Sequence, residues 1–169
     1  MSAREQLHSE QSLSSPTPDR LAVWRLFLES ATALIDLLDA GLQQRAGISL
    51  RWYDVLVHLE EAADGRLRMN EVAREIVASK SGLTRVVDGM ERAGLVRRER
   101  PASDRRVIEV VITARGLDVL HTARPFHRDD VERHFARHLD DRDLKALVRA
   151  LSKVRDEVRP LRAEQVSGS

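Results

Sequence analysis

The chain contains no cysteine. That absence excludes disulfides, thiolate zinc sites and thiol-based redox sensing, and it fits a reducing compartment. Aromatic residues make up only 4% of the chain, so a core has to be built mainly from Leu, Val, Ile and Ala. No apolar run approaches the roughly 20 residues needed to span a bilayer. The stretch before Arg20 lacks a charged segment followed by a long apolar block, so no secretory signal is expected and the expected location is the cytoplasm. A large charge of one sign is also missing. The 28 basic and 27 acidic residues leave a net charge of +1, and global charge alone announces no polyanionic partner.

What remains is a chain of 169 residues, 42% apolar and 33% charged, of a size for one packed domain and too short for two ordinary ones. Residues 1–19, rich in Ser, Gln and Pro, read as a flexible arm. Asp19 can cap a long helix from about Arg20 to Arg45, stopped by Gly47. It is apolar over most of its circumference (Leu21, Trp24, Phe27, Leu28, Leu34, Ile35, Leu38 and Leu42), which calls for burial on more than one side. Ser49 caps a second helix running to about Asp64-Gly65. A short extended connector, Arg66–Arg68, leads to a brief helix capped by Asn70. Ser79 caps the next helix, through Ala93, and Gly94 followed by Leu95 supplies a left-handed stop. Val96–Arg100 and Val107–Ile112 form a β-hairpin around a basic loop. Thr113 opens a long helix to about Leu139 that Pro125 should kink or break. Asp140 or Asp141 opens the last helix.

Chemistry concentrates between Ser79 and Arg106. Leu83, Val86, Val87 and Met90 form the buried stripe of a helix. Its other faces present Lys80, Ser81, Thr84, Arg85 and Asp88, a compact mixture of donors and acceptors near the helix N-terminus, where free N–H groups favour phosphate. Short Ser and Thr side chains let a backbone approach a base edge, and Arg can pair with guanine in bidentate fashion. The span holds eight basic and four acidic residues, a net +4 against +1 for the whole chain. Arg97 and Arg98 on the hairpin strands suit phosphates. A protruding loop with Arg105 and Arg106 suits the negative potential of a minor groove. Asp104 suits an orienting role, fixing a loop arginine by an ion pair. The competing readings are a solvated helix face and an ordinary exposed turn.

The run Leu67–Ala73, then Ser79–Asp88, Met90–Val96, Ser103–Arg106 and Ile112–Gly116, resembles in joint order the winged helix-turn-helix of the MarR family. Similarity in pattern covers about Arg20 to Pro160. The resemblance implies a mainly α fold: a helix-turn-helix with a small β-hairpin wing over residues 49–113, and long helices at 20–48 and 114–160 forming a dimerisation region, with a flexible tail at 161–169. It implies a homodimer on a pseudo-palindromic operator in double-stranded DNA, usually a repressor released by a small ligand. Carried over by position, Ser81, Thr84 and Arg85 would face bases. Arg106 would enter the minor groove braced by Asp104, with Arg105 beside it, while Ser79, Lys80, Arg97 and Arg98 complete the DNA-facing set. Family members similar to this chain often bind aromatic or phenolic effectors, and here Trp24, Arg25, Trp52, Tyr53 and His58 could border such a cleft, although large aromatics on helices are more often core.

Catalysis is not expected. There is no Gly-rich phosphate loop and no placeable Ser–His–Asp set, and neighbouring acids such as Glu60-Glu61 point about 100° apart on a helix. No cofactor or metal is expected either. His134 and His138 have the i, i+4 spacing of a helical zinc pair, but the surrounding arginines oppose a cation. The readings kept beside a DNA-binding regulator are a winged-helix protein-interaction module that touches no DNA, and a metal-responsive sensor.

Overall fold

The computed structural model describes residues 19–75, 80–101 and 104–167. Six α-helices and three strands follow in the order α1 (Arg20–Ala46), α2 (Leu50–Glu61), β1 (Arg66–Arg68), α3 (Met69–Glu75), α4 (Lys80–Arg92), β2 (Val96–Glu99), β3 (Glu109–Ile112), α5 (Ala114–His134) and α6 (Asp141–Ser167). By its contacts the chain divides into residues 1–33 and 34–169. In the first unit, α1 opens on Asp19, whose carboxylate accepts from the Leu21 N–H at 3.1 Å. Leu21, Val23, Trp24, Leu26 and Phe27 are all exposed there, and the Trp24 and Phe27 rings stack with centroids 6.0 Å apart.

The second unit holds the core. Tyr53, Val55, Leu56 and Leu59 of α2, Val72 of α3, Leu83, Val87 and Met90 of α4, Val110 and Ile112 of β3, and Leu120 and Ala123 of α5 are buried together. Local chemistry sets the element ends. Ser49 accepts from the Trp52 N–H at 3.2 Å, which satisfies one of the free donors at the start of α2. Thr113 does the same for Gly116 at the start of α5. The Asp140 carboxylate accepts from the N–H groups of Arg142 and Asp143, both at 2.8 Å, and the Asp143 carboxylate accepts from the Asp140 N–H in return, a reciprocal cap. At the end of α4, Gly94 has φ +73°, and the N–H groups of Gly94 and Leu95 close back on the Glu91 and Met90 carbonyls. Only a residue without Cβ takes that conformation at no cost.

Four features depart from the expectations. Arg66–Arg68 is not a connector but an edge strand: β1 pairs antiparallel with β3, and the sheet order is β1-β3-β2. α3 starts at Met69, and the Arg68 N–H is capped by the Glu71 carboxylate at 2.7 Å, not by Asn70. α5 runs through Pro125 and stops at His134. α6 stays helical to Ser167, through the stretch expected as a tail. The edge strand has an electrostatic reason. Glu99 and Glu109 lie opposite each other on β2 and β3, a destabilising like-charge pair, and Arg66 of β1 reaches both, at 3.4 and 3.3 Å.

Candidate nucleic-acid interface

α4 is seated by its apolar stripe, with Leu83, Val87 and Met90 fully buried. Gly89 lets it approach α2 closely, since a Cβ there would stand 2.9 Å from the Trp52 indole. The opposite face therefore turns outward with Thr84 and Arg85 exposed. Lys80 and Ser81 fall in the first turn of α4, and Ser79 lies outside the described residues. The wing loop turns at Arg105-Arg106, both exposed. Asp104 shapes this turn, but not by the ion pair expected of it. Its carboxylate accepts from the Arg106 backbone N–H at 3.0 Å, and its carbonyl accepts from Val107. Among the described residues no carboxylate is bonded to the Arg106 guanidinium itself.

The sequence-predicted arginines separate into two groups. Arg98, on β2, donates to Asp88 and Glu91 of α4, both at 2.6 Å, and its backbone N–H donates to Glu91 at 2.8 Å. It is mostly buried, and although burial works against its charge, the two carboxylates raise its pKa above the ordinary value. Arg98 is thus a strut between β2 and α4. Arg97 is half exposed and pairs with Glu99 at 2.6 Å. Among the described residues no carboxylate pairs with Arg85, Arg92, Arg100, Arg105 or Arg106, all five exposed. Asp88, Glu91 and Glu99 are spent on Arg98, Arg97 and Arg66. The net positive charge read from composition is therefore gathered on the outer surface of α4 and the wing. One residue was missed: Arg68, at the end of β1, lines a cleft of about 300 Å³ with Arg106. Nothing in its local spacing marks it, because the two meet only through the β1–β3 pairing.

Against known proteins, the MarR family model matches residues 46–107, from the end of α1 to the base of the wing. The crystal structure of AbsC, a MarR family transcriptional regulator from Streptomyces coelicolor, is 36% identical, with a TM-score of 0.80 over 85% of this chain and 97% of that one. Sco3205, a MarR family transcriptional regulator of the same organism solved in complex with DNA, is 35% identical, with a TM-score of 0.79 over 84% of this chain and 92% of that one. The chain belongs to the MarR family.

It is therefore a MarR-family transcriptional regulator with a winged-helix fold, and its relatives are regulators, not enzymes. A curated relative, the HTH-type transcriptional repressor YetL of Bacillus subtilis, is 32% identical over 81 residues. That match spans 48% of this chain and 48% of YetL, so the chain spans about half the length of the curated relative it matches. No helix among the described residues is long and apolar enough to cross a membrane.

Of the residues expected to border an effector cleft, two lie in the first unit and three in the second. Trp24 and Arg25 are exposed residues of the first unit. Trp52 lies against α4, whereas Tyr53, one position on, is buried with its ring 4.5 Å from that of His127 on α5. His58 is half-buried. Around Tyr53 the α2–α5 joint is polar. Glu60 pairs with Arg124 and with His121, the latter at 2.8 Å, and these bonds hold its carboxyl below the usual range. Burial pushes the Tyr53 phenol up, the Asp54 carboxyl up and the His127 imidazole down. The zinc-pair geometry fails: α5 ends at His134, and His138 sits in a separate 3₁₀ turn. No cluster among the described residues could hold a metal ion.

Proposed function

We propose that this protein binds double-stranded DNA as a homodimer and represses transcription by occupying a pseudo-palindromic operator. In this reading α4 enters the major groove with Ser81, Thr84 and Arg85 toward base edges, and the wing carries Arg105 and Arg106 to the adjoining minor groove. The observation that carries it is the set of five exposed arginines on α4 and the wing whose neighbouring acids are consumed elsewhere. A module that docked only proteins would need a strongly acidic partner to use that charge. The homodimer is supported by the apolar stripe of α6, where Leu144, Val148, Leu151, Val154 and Val158 recur at three- and four-residue intervals and stay exposed, as a partner-covered face does. Repression is supported by YetL, a repressor.

The test is fluorescence anisotropy with DNA from upstream of the protein's own gene beside a scrambled duplex, with sedimentation of the free protein. A dimer that prefers the cognate DNA by about a thousandfold or more supports a specific regulator. A folded dimer that binds neither DNA at low salt overturns the reading.

A further inference from the structure

The cleft between the start of α3 and the wing lies apart from α4 and meets the wing loop at Arg106. Its walls are Arg68, Met69 and Asn70 on one side and Arg106, Val107 and Ile108 on the other, around about 300 Å³. Backbone bonds lock the walls together: the Met69 N–H donates to the Ile108 carbonyl at 3.1 Å, and Arg68 lies in register opposite Glu109 in the β1–β3 ladder. Arg68 and Arg106 thus line one opening.

The nearby acids are occupied. Glu109 pairs with Arg66. Glu71 is turned to the Arg68 backbone N–H, and Asp104 to the Arg106 backbone N–H. Among the described residues no carboxylate pairs with either guanidinium of the cleft. An opening lined by two arginines that pair with no carboxylate among the described residues, and by the amide of Asn70, is suited to a tetrahedral oxyanion.

From this arrangement we propose that the cleft seats a phosphodiester of the DNA backbone, with Arg68 as its principal cation. The proposal rests on the DNA-binding reading and adds a contact outside the helix-turn-helix and wing residues named for it. The minor groove is about 6 Å wide and walled by phosphates. If Arg106 enters that groove, a second arginine fixed across the same cleft meets the phosphate row at its edge. Arg68 then reads no base. It sets how deep the wing sits and adds salt-sensitive affinity.

The experiment uses the full-length protein and a 30-base-pair duplex of arbitrary sequence, since a phosphate contact does not depend on the operator. Dissociation constants are measured by anisotropy from about 50 to 300 mM salt for wild type, Arg68→Ala, Arg68→Lys and, as a control for net charge, Arg142→Ala in α6. The expected slope of log Kd against log salt for Arg68→Ala is shallower by about 0.9 for each subunit on the duplex. Affinity at about 50 mM salt falls roughly tenfold or more, Arg68→Lys keeps most of the slope, and Arg142→Ala matches wild type. A slope for Arg68→Ala equal to that of wild type, or an equal change in Arg142→Ala, overturns the phosphate seat while the DNA-binding reading stands. If wild type itself shows no salt-dependent binding, both fall together. Circular dichroism of each variant establishes that the fold is kept, which is expected because, among the described residues, only the backbone of Arg68 makes hydrogen bonds.

Discussion

The arginines of the wing and those of the α2–α5 joint are the same residue put to opposite uses. In the joint, Arg124 is tied to Glu60, and near it Arg45 of α1 is tied to the buried Asp130 while lying 5.3 Å over the Phe126 ring. On the wing, Arg105 and Arg106 are exposed and Asp104 spends its carboxylate on backbone. Arg98 stands at the border: it belongs to the wing by sequence and to the scaffold by bonding. A positive charge with partners already present holds helices in place. One with no bonded carboxylate among the described residues is, in the proposed reading, available to a ligand that brings its own negative charge.

This contrast can be broken or sharpened residue by residue. The largest effect is expected at the DNA face. Arg85→Ala should cost about 1–3 kcal/mol of binding with relaxed sequence preference, read by competition between cognate and scrambled duplexes. A loss equal on all sequences would make Arg85 a phosphate contact instead. On the scaffold side, Asp130→Ala should destabilise the fold by about 2 kcal/mol. That is less than a fully buried pair costs, because Arg45 remains a third exposed. Denaturant unfolding measures it, and an unchanged midpoint would show the pair to be idle. Arg98→Ala should cost about 1 kcal/mol of stability, discounted because Asp88 and Glu91 are both more than a third exposed. Arg98→Lys should not restore it fully, since one ammonium cannot span two carboxylates as a guanidinium fork does.

The smallest effect concerns pH. Burial lowers the His127 pKa below its ordinary 6.5, against the opposing pull of Asp54 and Asp130. The unfolded chain therefore binds a proton that the folded chain refuses. The stability contributed by neutral His127 is complete above about pH 6.5 and is lost as pH falls from there toward the lowered folded value. Glu60, also lowered, adds a loss below its ordinary 4.5. Asp54, raised by burial, runs the other way, contributing below 3.8 and losing its share as pH rises through its folded value. Thermal melts should drop between pH 7 and 5.5 for wild type and drop less for His127→Phe. Parallel curves would remove His127 from the explanation.

What could be read from sequence follows the range of the forces involved. Caps act within three residues, so Asp19, Ser49, Gly94, Thr113 and Asp140 were legible, as was the buried stripe of α4. The misreadings lie where a distant group decides. Glu71 displaces Asn70 as the cap of α3. Arg66–Arg68 becomes a strand because β3, more than 40 residues away, supplies its partner. Asp104 looked like a mate for an arginine side chain because composition shows charges and not their directions. Arg97 and Arg98 looked like phosphate contacts for the same reason. Charge identity is local information, whereas charge pairing is tertiary.

The central claim, that unpaired arginines meet DNA and paired ones build the frame, is tested most directly by the salt dependence of duplex binding in Arg106→Ala and Arg98→Ala side by side. The account predicts a slope for Arg106→Ala that is shallower than wild type by about 0.9 per subunit on the duplex, and a slope for Arg98→Ala parallel to wild type. A slope flattened by Arg98→Ala and untouched by Arg106→Ala would contradict it.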